Sequence, residues 1–250
     1  MTQDFWASLG EAYRVFSAYC RYDDWHHILN ILVDRIVQIN ARTSVCLLDV
    51  GCGLGRNTLS ISEALFTRTG HRPVIDVVEP SSIARSTVRA LMPPHSRGGF
   101  LRTEYIDLGE LDEQEYDAIL FIHSTYYITN LQEQIQSLAQ RHLRPEGKLL
   151  FLVLPGASPF FLDSGPLPNT AEKVELILDE LRLLRHSMSL PSRFLFGDGR
   201  FLLTADTASS LRQFMKCESM TDDEFCNVIA DRAKHGAIDF GDRLIIGSKG

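Results

Sequence analysis

Hydrophobic and polar positions follow two alternating patterns through the first half of the chain. Short apolar runs are separated by stretches in which apolar residues recur at helical spacing. The runs cover residues 45–50, 74–79, about 101–106, 117–123 and 148–154. Strands that alternate with helices form right-handed crossover units, because a right-twisted strand that continues into a right-handed helix packs back onto the sheet only in that sense. The pattern therefore predicts an α/β fold, with a mostly parallel sheet and helices on both faces.

The segment before this core predicts helices. Residues 5–40 carry apolar and aromatic side chains at helical spacing, with an interruption at residues 21–24. An aspartate in that interruption, Asp23 or Asp24, suits the cap of the second helix. We expect this N-terminal segment to form a helical lid on the core.

The segment after the core is less regular. A helical period returns over residues 171–186. Residues 155–169 and 191–200 contain glycine, proline and serine and predict loops. Arg243–Gly247 predicts a short closing strand, paired antiparallel at the edge of the sheet.

The most informative segment joins the first apolar run to the helix after it. The run ends in an acid at Asp49, and glycines follow at Gly51, Gly53 and Gly55. Glycine lets the backbone turn sharply and come close to a ligand. The amide groups at the start of the next helix attract polar or anionic atoms. Strand, glycine turn and helix together predict a nucleotide-type site at the carboxyl end of a strand.

The residues around the glycines separate this site from two common nucleotide motifs. A dinucleotide fingerprint needs a glycine where this chain has Arg56, and a P-loop needs lysine followed by serine or threonine after the last glycine. A second acid, Glu79, ends the next apolar run, where a carboxylate can accept both ribose hydroxyls. Asp107 follows the third run, a position from which a carboxylate can accept an adenine amino group, and it also suits a surface turn.

The pattern Asp-x-Gly-x-Gly-x-Gly resembles the first motif of the class I (Rossmann-like) S-adenosylmethionine-dependent methyltransferases. Glu79 and the turn and strand of Leu143–Leu154 agree with this resemblance. It implies a seven-stranded sheet, S-adenosyl-L-methionine as the cofactor and methyl transfer as the activity. It also implies that Asp49 and Gly51 hold the amino-acid end of the cofactor, that Glu79 holds the ribose, and that Ile122 completes the cofactor side.

The methyl acceptor is expected where the fourth run ends, because methyl transfer chiefly requires alignment of acceptor, methyl group and sulfur. His123 leaves the strand at this point, and a neutral imidazole can orient or deprotonate an amine. Tyr126 and Tyr127 can wall the acceptor pocket or pack the start of a helix. The N-terminal candidates for acceptor binding are Tyr13, Phe16, Trp25 and His26. Aromatic faces attract cations by about 0.5–2 kcal/mol, although such residues also pack cores.

Several stretches resemble histamine N-methyltransferase and its small-molecule relatives: Tyr13–His27, Val77–Ser81 and Tyr116–Tyr127. The chain departs from that pattern in two places. His123 stands where that family has glutamine, and Trp25 stands before His26 where that family has a glutamate. An amine or imidazole nitrogen is the favoured acceptor. Methylation of a hydroxyl or carboxylate oxygen is an alternative, and a non-catalytic nucleoside-binding scaffold or sensor is another.

The composition argues against several classes of binding partner. A net charge of −7 argues against nucleic acid, whose ligands usually present a basic face. No apolar window of about 18 residues suggests a membrane span, and residues 1–6 do not resemble a signal peptide. The five cysteines lack metal-binding spacing, so we expect free thiols and no metal. We expect one cytoplasmic domain, with a lid at 1–40, a cofactor core at 41–155 and acceptor-side elements at 156–250, while the oligomeric state stays open.

Overall fold

The computed structural model of the protein describes residues 13–14, 20–22, 24–39, 44–92, 100–158, 169–196, 208–209, 212, 219–232 and 237–250. The strands in these ranges are β1 (Cys20–Tyr22), β2 (Cys46–Val50), β3 (Val74–Val78), β4 (Phe100–Tyr105), β5 (Tyr116–Ile122), β6 (Leu143–Val153), β7 (Leu184–Phe196) and β8 (Ala237–Ser248). They form one sheet in the order β1-β7-β8-β6-β5-β2-β3-β4.

The sheet is parallel from β4 across to β6 and antiparallel beyond it. Neighbouring pairs among β4, β3, β2, β5 and β6 are parallel, whereas β8 pairs antiparallel with both β6 and β7. This arrangement confirms the mostly parallel, seven-stranded α/β sheet that the sequence predicts. The short strand β1 adds an eighth member, because Cys20–Tyr22 pairs antiparallel with the end of β7.

Helices cover both faces of the sheet. Their bounds are α1 (Trp25–Val37), α2 (Arg56–Thr69), α3 (Ser82–Leu91), α4 (Leu131–Ser137), α5 (Ala171–Glu180) and α6 (Asp222–Arg232). Buried residues of α1, α2 and α3 pack on one face of the sheet, and those of α4 and α5 pack on the other. None of the described helices is both long and apolar enough to cross a membrane.

The predicted strands of the core are confirmed to within one residue at their ends, except that β6 begins at Leu143 and not at residue 148. Every residue of β2 and of β5 is buried. Side chains alternate along a strand, so consecutive residues contribute to opposite layers. Leu47 and Leu120 lie in the layer with α1–α3, while Leu48 and Phe121 lie in the layer with α4 and α5.

Three predicted elements outside the core are corrected by the structure. The helix predicted over 171–186 ends at Glu180, and the residues from Leu184 belong to β7. Pro191 and its neighbours are not a loop, because β7 continues to Phe196. The closing strand is β8, which is longer than Arg243–Gly247 and lies between β6 and β7, not at the edge.

Pro191 is accommodated in β7 because of where the strand lies. Proline has no amide hydrogen for the ladder and is confined to edges or bulges in sheets. The strand on the outer side of β7, β1, pairs only with residues 194–196. Pro191 itself is paired with Gly241 of β8, so one side of the strand is an edge there in the described part of the chain.

The N-terminal segment differs from two continuous helices. Tyr13 and Arg14 are helical, Cys20–Tyr22 form β1, and the next helix begins at Trp25. Asp24 precedes this helix, but its carbonyl oxygen and not its side chain accepts the bonds from the first turn. The other candidate cap, Asp23, lies outside the described residues.

A buried polar cluster lies among the parallel strands, away from the glycine turn. Asp76 of β3 has a fully buried side chain and accepts hydrogen bonds from two groups. Arg102 of β4 donates through Nε (3.0 Å) and Nη2, and the hydroxyl of Tyr116 donates at 2.8 Å. A buried carboxylate with these partners links three strands.

Candidate active site

The glycine turn between β2 and α2 has the backbone that its sequence requires. Gly51, Gly53 and Gly55 all have positive φ values, of 73°, 54° and 76°. These values lie in the left-handed region, which side chains with a Cβ rarely adopt. The amide of Gly51 donates to the carbonyl of Val78 at 2.7 Å, so the turn is joined to the end of β3.

Close neighbours show a second reason for glycine at these positions. A Cβ on Gly51 would lie 2.5 Å from Cβ of Ser124, and one on Gly53 would lie 2.6 Å from Cε1 of Tyr13. Real Cβ atoms essentially never approach other atoms this closely. The turn is therefore covered by two side chains from distant parts of the sequence.

Glu79 is oriented by backbone amides at the end of β3. Its Oε2 accepts from the amide of Gly53 at 2.9 Å, and its Oε1 accepts from the amide of Ser81 at 2.8 Å. Burial raises the pKa of the Glu79 carboxyl, and these two hydrogen bonds oppose the rise. Each carboxylate oxygen has lone pairs for two bonds, so both keep acceptor capacity for a ligand.

Asp49 is a second buried acid beneath the same turn. It is 2% exposed, and its Oδ2 accepts a 2.6 Å hydrogen bond from the hydroxyl of Thr58 in α2. Burial raises its pKa to about 6, the charge of Glu79 adds to the rise, and the bond from Thr58 opposes it. A buried carboxylate whose ionisation is opposed by burial and by a neighbouring acid favours a cationic ligand beside it.

Ser124 follows the end of β5 and faces Gly51. It is 5% exposed, and within the described ranges its Oγ has no hydrogen-bond partner. A buried hydroxyl without a partner costs about 1–3 kcal/mol, so it is normally retained for a reason. The hydroxyl lies 3.3 Å from the position of a Cβ on Gly51, directly at the glycine turn.

Tyr13 lies on the outer side of the turn. Its pKa is raised to about 12, chiefly by burial, and the nearby charge of Arg56 opposes this rise while Glu79 and Asp49 add to it. Burial and the phenol of Tyr13 also raise the pKa of Tyr127. Tyr13 is thus close to the buried acids Asp49 and Glu79 and also to Tyr127, a predicted acceptor-side residue. This position agrees with the expectation that the N-terminal segment forms a lid.

His123 occupies the end of β5, where the sequence predicts the acceptor. Its amide donates to the carbonyl of Leu152 at 2.9 Å, which extends the pairing with β6 by one residue. Its φ of 53° is left-handed, so the chain turns away from the sheet at this residue. Burial lowers the pKa of its imidazole, and the charge of Asp242 opposes this effect.

Tyr126 lies in the 3-10 turn that follows β5, three residues after His123. Its hydroxyl accepts a hydrogen bond from the amide of Leu154, just beyond the end of β6. Burial raises its pKa well above the ordinary value. A phenol in this state stays neutral at physiological pH.

The remaining predicted residues lie in different settings. Asp107 is exposed and caps a short 3-10 turn, with Oδ1 accepting from the amide of Gly109 at 2.7 Å. Ile122 is buried in the layer with α1–α3. Trp25 packs against that layer at the start of α1, and His26 is exposed. Phe16 lies outside the described residues.

Sequence reasoning missed three residues of this region: Thr58, Ser124 and Asp242. Thr58 and Ser124 carry a local signal, because each is a small polar residue next to a predicted strand end or helix start. Asp242 has no local signal. Its position depends on where β8 inserts into the sheet.

Comparisons with known proteins agree with this geometry. A family model described as "Methyltransferase domain" matches residues 23–216. No curated protein matches the chain by sequence.

Solved structures show the same fold at low identity. The YcgJ protein of Bacillus subtilis is 13% identical, with a TM-score of 0.58 over 90% of this chain and 98% of that one. Magnesium protoporphyrin IX methyltransferase of Synechocystis, solved with bound S-adenosylmethionine, is 13% identical, with a TM-score of 0.50 over 89% and 79%. Precorrin-6y C5,15-methyltransferase of Geobacter metallireducens is 11% identical, with a TM-score of 0.50 over 88% and 86%.

These comparisons support the general class and not the narrower resemblance to histamine N-methyltransferase. The family match covers most of the chain and includes the glycine turn, Glu79 and His123. The chain belongs to the methyltransferase-domain family and is a class I S-adenosylmethionine-dependent methyltransferase.

Proposed function

We propose that this methyltransferase acts on a small molecule and that its acceptor is an amine or imidazole nitrogen. The observation that carries the proposal is the negative charge of the buried acids around the glycine turn and His123. Buried acids, Asp49 and Glu79, lie beside the glycine turn, and a third, Asp242, lies near His123. An environment of this sign favours a cationic cofactor and a cationic or neutral acceptor, and it disfavours a carboxylate as the acceptor.

The residues at the turn fit S-adenosyl-L-methionine. Glycines leave room where a Cβ would collide with Ser124 or Tyr13. Glu79 would accept the ribose hydroxyls with the lone pairs that the two backbone amides leave available. Asp49 would face the ammonium group, and the buried hydroxyl of Ser124 would bond to the amino-acid end of the cofactor.

When bound, the cofactor would supply a sulfonium-activated methyl group, whose carbon would bond to the acceptor nitrogen's lone pair as the carbon–sulfur bond breaks and its electron pair goes to sulfur. The protein's residues then have three tasks. Tyr13, whose ring lies against the glycine turn, would cover the cofactor together with Tyr127 and limit the access of water. The strand ends align donor and acceptor. His123 takes the proton that the acceptor nitrogen loses, because burial keeps its imidazole neutral.

The first experiment measures binding of S-adenosylhomocysteine by calorimetry and then methyl transfer to a panel of acceptors. The panel contains amines, imidazoles, phenols and carboxylic acids, with methyl-labelled S-adenosylmethionine and detection by mass spectrometry. We expect labelled product from amines or imidazoles. Transfer only to oxygen would overturn the nitrogen assignment, and binding with no transfer to any class would favour a scaffold.

The second experiment tests the acceptor side with His123→Asn. Asparagine tolerates the left-handed backbone of position 123, so the turn is retained. We expect turnover to fall by about 100-fold or more, with little change in affinity for S-adenosylhomocysteine. His27→Asn, which changes an exposed histidine of α1, is the matched control and should leave turnover unchanged. Normal turnover in His123→Asn would remove His123 from the mechanism.

A further inference from the structure

Asp242 of β8 is a buried carboxylate beside His123. Its side chain is fully buried, and its Oδ1 lies 3.7 Å from Nε2 of His123. This distance is that of an ion pair and is longer than a hydrogen bond. Hydrogen bonds of catalytic groups are often long without ligands and shorten when the complex forms.

The other oxygen of Asp242 is held by a neighbouring strand. The hydroxyl of Ser192 in β7 donates to Oδ2 at 2.7 Å, and Ser192 is itself buried. Asp242 is paired with Leu190 in the antiparallel ladder, so Ser192 is its diagonal neighbour on the same face. The carboxylate is therefore held in one orientation from the side opposite His123.

The backbone at His123 is also fixed in position, like the carboxylate of Asp242. Its amide bonds to Leu152 of β6, and its left-handed φ directs the chain out of the sheet. A left-handed conformation costs free energy for a residue with a side chain and is common at functional sites. Strands β5, β6, β7 and β8 thus bring His123, Asp242 and Ser192 to one point at the end of the sheet.

We propose that Asp242 is a positioning residue that orients the imidazole of His123 and stabilises its protonated form during methyl transfer. Ser192 holds Asp242 in the orientation that this requires. With a proton on Nε2 directed at Asp242, the ring presents Nδ1 as its basic nitrogen. The acceptor N–H bond then breaks with its proton passing to Nδ1, and the imidazolium formed faces the carboxylate until it releases the proton to solvent.

Among the described residues, Asp242 is a charged group that acts on His123 from a nearby strand, β8. Asp242 also raises the pKa of Tyr126, whose phenol lies on the 3-10 turn after β5, so the carboxylate acts on both groups. Burial lowers the pKa of the His123 imidazole, whereas the charge of Asp242 raises it. Removal of the charge therefore makes the imidazole harder to protonate.

The test is a histidine titration by NMR on cofactor-free protein, so its result does not depend on any acceptor. The catalytic role of the pair rests on the proposed function, but the electrostatic relation does not. His123→Asn identifies the resonance of His123 among the eight histidines. Asp242→Asn should lower the pKa of His123 by about 1, and Asp242→Glu should restore part of the difference. Ser192→Ala should lower it by less.

The matched control is Asp117→Asn. Asp117 is equally buried in the same sheet, where it accepts from the amide of Cys46 and from Arg144. It lies six residues before His123 on β5, a separation of about 20 Å along an extended strand. Its loss should leave the titration of His123 unchanged.

An unchanged titration of His123 in both Asp242→Asn and Ser192→Ala, with folded spectra, would overturn the proposal. Asp242→Asn that does not fold leaves Ser192→Ala to decide the question. If the titration shifts as expected but no acceptor is methylated, the proposed function fails while the pairing stands. If acceptors are methylated and the titration does not shift, only the role of Asp242 fails.

Discussion

The amide of Gly53 donates a 2.9 Å hydrogen bond to Oε2 of Glu79, which joins the glycine turn after β2 to the acid at the end of β3. The two strands are adjacent and parallel, so their carboxyl ends meet. One carboxylate therefore fixes the backbone of the turn, and under the proposed function it would also accept hydrogen bonds from a ribose. Loss of this carboxylate should alter the binding site more than the fold.

Glu79→Ala should weaken binding of S-adenosylhomocysteine by about 1–3 kcal/mol, roughly 5- to 150-fold in Kd, because charge-assisted hydrogen bonds are lost. The measurement is calorimetry at neutral pH. Glu104→Ala is the matched control, since Glu104 lies on the adjacent strand β4 and pairs with Arg89 at the surface. Equal Kd values for Glu79→Ala and the unaltered protein would remove Glu79 from the site.

The arrangement of the glycine turn and the two acids at one edge of the sheet was predictable from sequence because its signals are local. Asp49, the glycines and Glu79 are each tied to the end of an apolar run, and parallel strands bring those ends together. The fully buried strands β2 and β5 were predictable for a similar reason, since a continuous apolar run has few other uses.

Strand β7 was not predictable, because its neighbours decide its structure. Arg185, His186 and Ser187 are polar and Pro191 opposes a strand locally. Pairing with β8 along most of its length overrides these preferences. The role of Asp242 could not be predicted for the same reason. Asp242 lies near His123 because β8 inserts beside β6, and no local sequence pattern encodes this insertion.

Gly51→Ala should abolish measurable binding of S-adenosylhomocysteine and lower stability. The new methyl group would meet Cβ of Ser124 at 2.5 Å, and the backbone would keep an unfavourable φ of 73°. Gly70→Ala is a close control, because Gly70 has the same φ and nothing lies within 4 Å of the position that its new methyl group would take. It should cost only about 1 kcal/mol of backbone strain and leave binding intact. Equal effects of the two variants would show that backbone strain, and not the contact with Ser124, sets the requirement for glycine.

Asp76→Asn should destabilise the fold without affecting the cofactor site. The change removes the charge that pairs with Arg102 and weakens the bond from Tyr116 within a buried cluster. Breaking such a pair costs about 2–4 kcal/mol, since Arg102 retains part of its exposure to solvent. Urea unfolding measures the loss, and calorimetry with S-adenosylhomocysteine should give an unchanged Kd. A weaker Kd at equal stability would mean that the cluster acts on the binding site.

Asp49 should make the free energy of unfolding depend on pH. Its pKa in the folded protein is about 6, above the ordinary value of 3.8. The folded protein therefore binds this proton more tightly than the unfolded chain does. The stabilising contribution is fully present below pH 3.8 and is lost as the pH rises through 6, so ionised Asp49 costs about 3 kcal/mol at pH 7.5.

Asp49→Asn removes this cost and keeps an oxygen that accepts from Thr58. The variant should gain up to about 3 kcal/mol over the unaltered protein at pH 7.5, and about half of that at pH 5, in urea unfolding. It should also bind S-adenosylhomocysteine more weakly, because the ammonium group of the ligand loses its carboxylate. Asp34→Asn, at an exposed aspartate of α1, is the control for a pH-independent change. A variant at Asp49 that is less stable at pH 7.5, or whose difference in stability does not vary with pH, would contradict the assignment of Asp49 as a destabilising acid retained for binding.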